Sequence, residues 1–229
     1  MNGASNPRVL YRSDTLIAVD KPQGIIVHGD GTGAPTLTDA VRELLLAEGT
    51  NASQSAVRDL QCLQRLDRDT SGIVLFSLRK ETQGVYDRLI AEHAVEKHYR
   101  ALVEGRFPKA PQTYTWPIGR DRHDARKMRV SRTGKSATTH ARLLEQYASA
   151  ALLDVRIETG RKHQIRVHLS HAGHPIVGDE LYGHSHPKGL MLHAAELSFC
   201  DPVTGESVDI CSPLPRRFRA AALRTDASN

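Results

Sequence analysis

The sequence predicts an α+β fold in a single domain, on three observations. Helix-like and strand-like windows follow one another without a strand-helix-strand rhythm. No internal repeat and no linker-like stretch divides the chain. A length of 229 residues falls within the roughly 200 to 250 that one sheet-rich domain can occupy.

Val9 to Asp20 predicts two short strands around Ser13-Asp14, and Lys21-Pro22-Gln23-Gly24 places proline and glycine as a tight turn requires. Ile25 to Val27 is expected to continue the sheet. Leu37, Ala40, Val41, Leu44 and Leu45 follow the spacing of an amphipathic helix, with Thr36 or Thr38 as cap and Gly49 as stop. Gly72 to Leu78 reads as a buried strand and Lys80 to His93 as a helix. Lys97, Tyr99, Ala101 and Val103 share one strand face, and Leu153, Val155 and Ile157 alternate with Asp154, Arg156 and Glu158 as in a half-buried strand. Lys162 to Ala172 predicts a helix stopped by Gly173 and Pro175. Leu192 to Phe199 and Glu206 to Ile210 flank the turn sequence DPVTG as a hairpin.

Apolar stretches such as Ile73–Phe76 run to four residues, far short of the roughly 18 a membrane helix needs. The N-terminus lacks a basic head followed by an apolar run, so a cytoplasmic protein is expected, and no membrane partner. Cys62, Cys200 and Cys211 include no CxxC pair, which argues against a disulfide framework and a structural zinc site. Lys+Arg number 31 against 26 Asp+Glu, a net +5, and 23 of the cations are arginine. Arginine's planar fork suits phosphate and base recognition, although a GC-rich genome produces the same bias. Distribution decides. Pro117 to Arg142 carries Arg120, Arg122, Arg126, Lys127, Arg129, Arg132, Lys135 and Arg142 against Asp121 and Asp124, as a long exposed loop or ribbon. A second window, Gly160 to His174, has no acid and includes Arg161, Lys162, His163 and Arg166. Together they favour a groove that faces a polyanion.

The densest polar run is Gln64-Arg65-Leu66-Asp67-Arg68-Asp69-Thr70-Ser71-Gly72, which leads into the buried strand. Asp67 and Asp69 suit a divalent-metal pair poorly, because Arg65 and Arg68 repel a cation. Paired carboxylates for glycosidic cleavage and a salt-bridged structural loop both remain open. Gly29-Asp30-Gly31-Thr32-Gly33 lacks the lysine and spacing of a phosphate loop, and Gly134-Lys135-Ser136 lacks the earlier glycine of that motif. His163, His168, His171 and His174 have helical spacing but basic neighbours, which disfavours a metal.

Taken together, RLDRDTSG, KHYRALVEG, TGRKHQIRVHLSHAGHPIVGDELYG and LMLHAAELSF followed by DPVTG resemble, in this order, the motifs of the RluA-type family of RNA pseudouridine synthases. The opening VLYRSDTLIAVDKPQGIIVH is similar to that family's first strands, so the resemblance covers about residues 8 to 215. It implies a mixed, largely antiparallel sheet flanked by helices, with a catalytic domain at 8–223 between tails at 1–7 and 224–229. It also implies that Asp67 is the catalytic aspartate and Tyr99 the ring that stacks on the target base. Arg166 is then the arginine paired with the aspartate, Arg65 the filler of the space left by a flipped nucleotide, and Leu192 the apolar residue near the tyrosine. The resemblance departs at Gln64, where the family usually has histidine.

The implied reaction breaks the carbon-nitrogen glycosidic bond of a uridine, turns the base and rejoins it through carbon 5. It consumes no water and involves no net redox, so no cofactor and no metal is expected. A uridine in structured RNA must first be extruded into a pocket and held by stacking. RNA is the expected partner, contacted by Arg120, Arg122, Arg126, Lys127, Arg129, Arg132, Lys135, Arg161, Lys162 and His163, and the enzyme is expected to act as a monomer. The first catalytic strand begins near Arg8, which leaves no room for a preceding RNA-binding module. Together with DKPQGIIVHGDGTG, the arginine-rich segment points to large-subunit rRNA, with tRNA as the alternative. A non-catalytic RNA-binding or ribosome-assembly protein would need the basic windows alone, and a glycosidic hydrolase would need a water positioned by Asp69.

Overall fold

The structure, a computed structural model, describes residues 7–29, 31 and 33–224. Most of both expected tails, and Asp30 and Thr32 of the glycine-rich run, lie outside the described residues. The fold is α+β, as the sequence predicts. The chain divides into two compact units: the part up to Val95 with Glu196–Ser212, and Glu96–Ala195 with the part from Pro213 onward. No helix among the described residues is long and apolar enough to cross a membrane.

In the first unit, β1 (Arg8–Arg12), β2 (Leu16–Lys21) and β4 (Ser71–Ser77) form an antiparallel sheet in the order β1-β2-β4, with the short β3 (Gln61–Cys62) also paired to β4. Both faces of β2 and β4 are covered, which is why they read as unbroken apolar runs rather than as alternation. Ile17, Val19, Val74 and Phe76 pack against α1 (Leu37–Ala47) and α2 (Asn51–Asp59), through Leu37, Val41, Leu45 and Ala56. Leu16, Ala18, Ile73 and Leu75 pack on the other side, in a cluster with Tyr86 of α3 (Lys80–Ala91). The same cluster holds Leu197 and Phe199 of β11 (Leu192–Cys200) and Val208 and Ile210 of β12 (Ser207–Cys211). The latter two strands make the expected hairpin around DPVTG.

The second unit has the antiparallel order β5-β10-β9-β6, from β5 (Glu96–Glu104), β6 (Gln112–Tyr114), β9 (Thr139–Gln146) and β10 (Ala150–Ile157). A separate two-stranded ribbon, β7 (Ile118–Arg120) with β8 (Met128–Val130), occupies the basic segment. Helices α4 (Gln164–His171) and α5 (Arg216–Arg224) complete it.

Two expectations need correction. Ile25 to Val27 is not a strand, because its carbonyls are used elsewhere: Ile26 and Val27 accept the N–H groups of Leu37 and Thr38 at the start of α1. Helix α2 lacks a strong apolar stripe and was not expected. It begins at a capping box in which Thr50 and Ser53 satisfy each other's backbone N–H groups.

Tyr86 closes the lower core of the first unit. Its hydroxyl donates to the Asp201 carboxylate at 3.0 Å and contacts Thr15 Oγ1 at 2.8 Å, and burial raises the phenol pKa. Tyr86→Phe keeps the ring and removes a hydrogen bond to a buried charge. A loss of about 1 to 3 kcal/mol in urea unfolding is expected, and an unchanged midpoint would show that Asp201 is satisfied without it.

Candidate functional site

The loop from Gln64 to Thr70, which carries Asp67, is fixed by its own apolar residues and by a buried cation. Leu63 joins the core beneath β4 and Leu66 packs on the α1/α2 core, so the polar residues between them stand on two anchored points. Asp67 is half-buried, Arg65, Arg68 and Asp69 are exposed, and the Thr70 N–H donates to the Asp67 carbonyl at 3.1 Å to close the turn. Lys21, fully buried at the end of β2, donates from Nζ to the carbonyls of Pro22 (3.0 Å), Ile25 (2.7 Å) and Arg68 (2.8 Å). An ammonium has three donors, and a buried one is tolerated only where they find acceptors. The Gly24 N–H donates to the Arg68 carbonyl, and Arg68 Nε donates back to the Gly24 carbonyl. The DKPQG turn and the Asp67 loop are therefore one hydrogen-bonded body.

Next to this loop lies a cavity of about 660 Å³ lined by His28, Thr36, Asp39, Arg42 and Gln61 among others. Burial, followed by the charges of Arg65 and Arg42, lowers the His28 pKa, which places the Arg65 charge within reach of this ring. Cys62 donates its thiol proton to the Gln64 carbonyl, and burial pushes its pKa up to about 12, so it is not a nucleophile at neutral pH.

In the second unit, Tyr99 lies opposite Val155, and Val155 opposite Ala141. Residues directly opposite in a ladder point to the same face, as do alternate residues of one strand, so Thr139 shares that face. Helix α4 is hydrogen-bonded onto it: His168 Nδ1 meets Thr139 Oγ1 at 2.9 Å and Gln164 Nε2 donates to the same oxygen at 3.0 Å. Tyr99 and the helix that carries Arg166 thus belong to one face of this sheet. Leu192 is buried at the start of β11, next to the Met191 carbonyl that accepts the Leu102 N–H of β5.

Arg166 is 6% exposed and Asp179 is 1% exposed. The guanidinium donates from Nε to Asp179 Oδ2 and from Nη2 to Oδ1, both at 2.8 Å, a parallel fork that fixes its plane. Asp179 Oδ1 also accepts the N–H groups of Leu181 and Tyr182. Gly178, at φ +80, makes this turn possible: a Cβ there would lie 2.0 Å from the Gly189 carbonyl oxygen. The Arg166 guanidinium carbon sits 5.1 Å from the Tyr182 ring centroid. The Tyr182 hydroxyl meets His163 Nδ1 at 2.7 Å and accepts the Met128 N–H of β8 at 2.7 Å. His163 itself is left-handed (φ 56, ψ 20), a conformation that costs a non-glycine residue about 1 kcal/mol or more.

Arg120, Arg122, Arg126, Arg129, Arg132 and Lys135 of the basic segment are exposed, as is Lys162, whereas Lys127, Arg161 and His163 are half-buried. Arg126 is held by Asp124 at 2.8 Å, and that hydrogen bond leads the causes that keep the Asp124 carboxyl down at about 2. Arg161 Nε donates to the Ser136 carbonyl. Gly134 serves close packing, since a Cβ on it would meet the Ile118 carbonyl carbon at 2.4 Å. Arg142 belongs to the opposite face of the sheet, where Asp154 accepts from Arg100, Arg142 and His98.

The sequence reading assigned no role to Lys21, Asp179 or Tyr182. A signal for Asp179 exists, because an arginine on a buried helix needs a carboxylate and Asp179 is the first acid after the acid-free window. Lys21→Met should leave the sheet intact and loosen the loop. The amides of Gly24 and Thr70 are expected to exchange with deuterium at least about tenfold faster, and unchanged protection would mean that Lys21 does not hold the two segments together.

Comparison with known proteins agrees with this arrangement. Residues 15–171 match the family model described as RNA pseudouridylate synthase. An uncharacterized RNA pseudouridine synthase of Mycobacterium bovis is 38% identical over 223 residues, covering 93% of this chain and 71% of the relative. The ribosomal large subunit pseudouridine synthase D of Xanthomonas campestris is 36% identical over 239 residues, covering 96% and 70%. Among solved structures, the human RNA pseudouridylate synthase domain containing 4 superposes with a TM-score of 0.75 at 26% identity, covering 95% of this chain and 92% of that one. With the family model spanning more than half of its length, this chain belongs to the RNA pseudouridine synthases, isomerases that act on RNA.

Proposed function

We propose that this pseudouridine synthase modifies large-subunit ribosomal RNA, as a cytoplasmic monomer. The observation that carries the target is the similarity, over nearly the whole chain, to relatives named for the ribosomal large subunit. The exposed arginines of the β7–β8 ribbon support an RNA backbone contact made by the domain itself.

The proposal gives the reacting carboxylate to Asp67, on its anchored loop. Tyr99 is the ring that stacks on the extruded uracil, and Arg166 is the guanidinium that favours the ionised carboxylate. Arg65, exposed next to Asp67 in sequence, fills the gap left in the RNA, and Leu192 lines the apolar side of the base. The half-burial of Asp67 fits a carboxylate that must meet substrate. The isomerisation retains every atom of the nucleotide, so one carboxylate suffices and Asp69 is not required.

Carbodiimide mapping of rRNA and tRNA from cells with and without the protein tests the target directly. A pseudouridine lost from large-subunit rRNA is expected, and loss from tRNA alone would overturn the rRNA assignment. Asp67→Asn should abolish turnover with RNA affinity nearly intact, whereas Asp69→Asn should cost far less. Residual Asp67→Asn activity within about tenfold of the parent would remove Asp67 from the chemistry.

Replacing Arg120, Arg122 and Arg132 by glutamine should weaken binding to every RNA alike. The slope of log affinity against log salt should flatten by up to about 0.7 per lost phosphate contact. Arg126→Gln should change it less, because Asp124 already compensates that charge. An unchanged slope in the triple variant would show that the ribbon does not touch RNA.

A further inference from the structure

Tyr182 touches three parts of the second unit that the proposed reaction uses. Its hydroxyl reaches the ribbon strand β8 at the Met128 N–H and the entry to α4 at His163 Nδ1. Its ring lies against the Arg166 guanidinium and, edge-on, against the His163 ring, whose centroid is 5.6 Å away. A backbone N–H can only donate, so the tyrosine oxygen accepts from Met128, and the same hydroxyl shares a second hydrogen bond with His163 Nδ1. The base of the side chain is equally fixed. The Tyr182 N–H donates to Asp179 Oδ1, the carboxylate that holds Arg166, and Ser170 Oγ of α4 donates to the Tyr182 carbonyl. Ile118, Met128, Val130 and Val167 pack around it, so the ring is a strut rather than a loose contact.

We infer that Tyr182 is a positioning residue that couples the seating of the β7–β8 ribbon on RNA to the setting of Arg166. The inference rests on the role proposed above for Arg166. The tyrosine touches both the ribbon and the arginine. When an RNA backbone presses on the ribbon, Met128 bears on the hydroxyl and the ring carries the displacement to the guanidinium. His163 is the second bearing of the same strut, and its left-handed backbone is what aims Nδ1 at the hydroxyl.

The test is Tyr182→Phe in the full chain, which removes the hydroxyl and keeps the ring under Arg166. With protein in excess over an RNA that the unsubstituted chain modifies, the single-turnover rate constant for pseudouridine formation should fall at least about tenfold. The RNA dissociation constant from filter binding should stay within about threefold. His163→Asn tolerates the left-handed backbone and removes the ring. It should slow the same step, and the double variant should be no slower than Tyr182→Phe alone, since both break one linkage. Equal rates for Tyr182→Phe and the parent would overturn the inference, whether or not the melting temperature falls. So would a loss confined to the dissociation constant, or independent, multiplicative losses in the double variant. Failure of the underlying functional reading looks different: the unsubstituted chain then forms no pseudouridine in any RNA supplied, whatever stands at 182.

Discussion

The buried fork between Arg166 and Asp179 is the constraint around which the second unit is arranged. Taking two charges out of water is expensive, and their mutual attraction roughly repays the desolvation, so such a pair adds little net stability. What it supplies is direction. Two parallel hydrogen bonds at 2.8 Å leave the guanidinium one plane to lie in, and the neighbouring elements follow from that plane. Helix α4 carries the arginine, and the turn at Gly178 brings Asp179 up to meet it. The same carboxylate accepts the Tyr182 N–H, which sets the ring beneath the cation. Losing Arg166 leaves Asp179 buried without its counter-ion, at a cost of about 3 to 5 kcal/mol.

The first unit also buries a cation. Lys21 places its ammonium among three backbone carbonyls, which tie the DKPQG turn to the Asp67 loop. Each unit thus fixes one member of the proposed catalytic set through a buried cation.

The sequence made much of this legible. The β2, β4, β10 and β11 strands announce themselves by apolar runs or alternation and α1 by its spacing and cap, while the roles of Asp67, Tyr99 and Arg166 are proposed from the motifs around them. Elements that the pattern does not encode were the harder ones. Ile25 to Val27 has a strand's composition, yet its carbonyls are taken by α1 and Lys21, a tertiary use that no local propensity reports. Helix α2 is mostly polar and rests on its capping box and on Ala56 against the core. Lys21, Asp179 and Tyr182 matter through long-range hydrogen bonds. A single sequence displays such residues without displaying their partners.

The two faces of the second sheet differ in how their cations are disposed. On the face away from α4, Asp154 pairs with Arg100 and Arg142 and Glu158 with Arg156, so each of these arginines has an acidic partner. Around the ribbon, which packs on the α4 side, Arg120, Arg122 and Arg132 have no salt-bridge partner among the described residues. The cations of the second unit are therefore unevenly compensated. A polyanion diffusing towards the rear meets a surface with little net pull, and one approaching the ribbon is drawn in. On the proposal that the ribbon contacts RNA, encounters are biased to that side before any base is recognised.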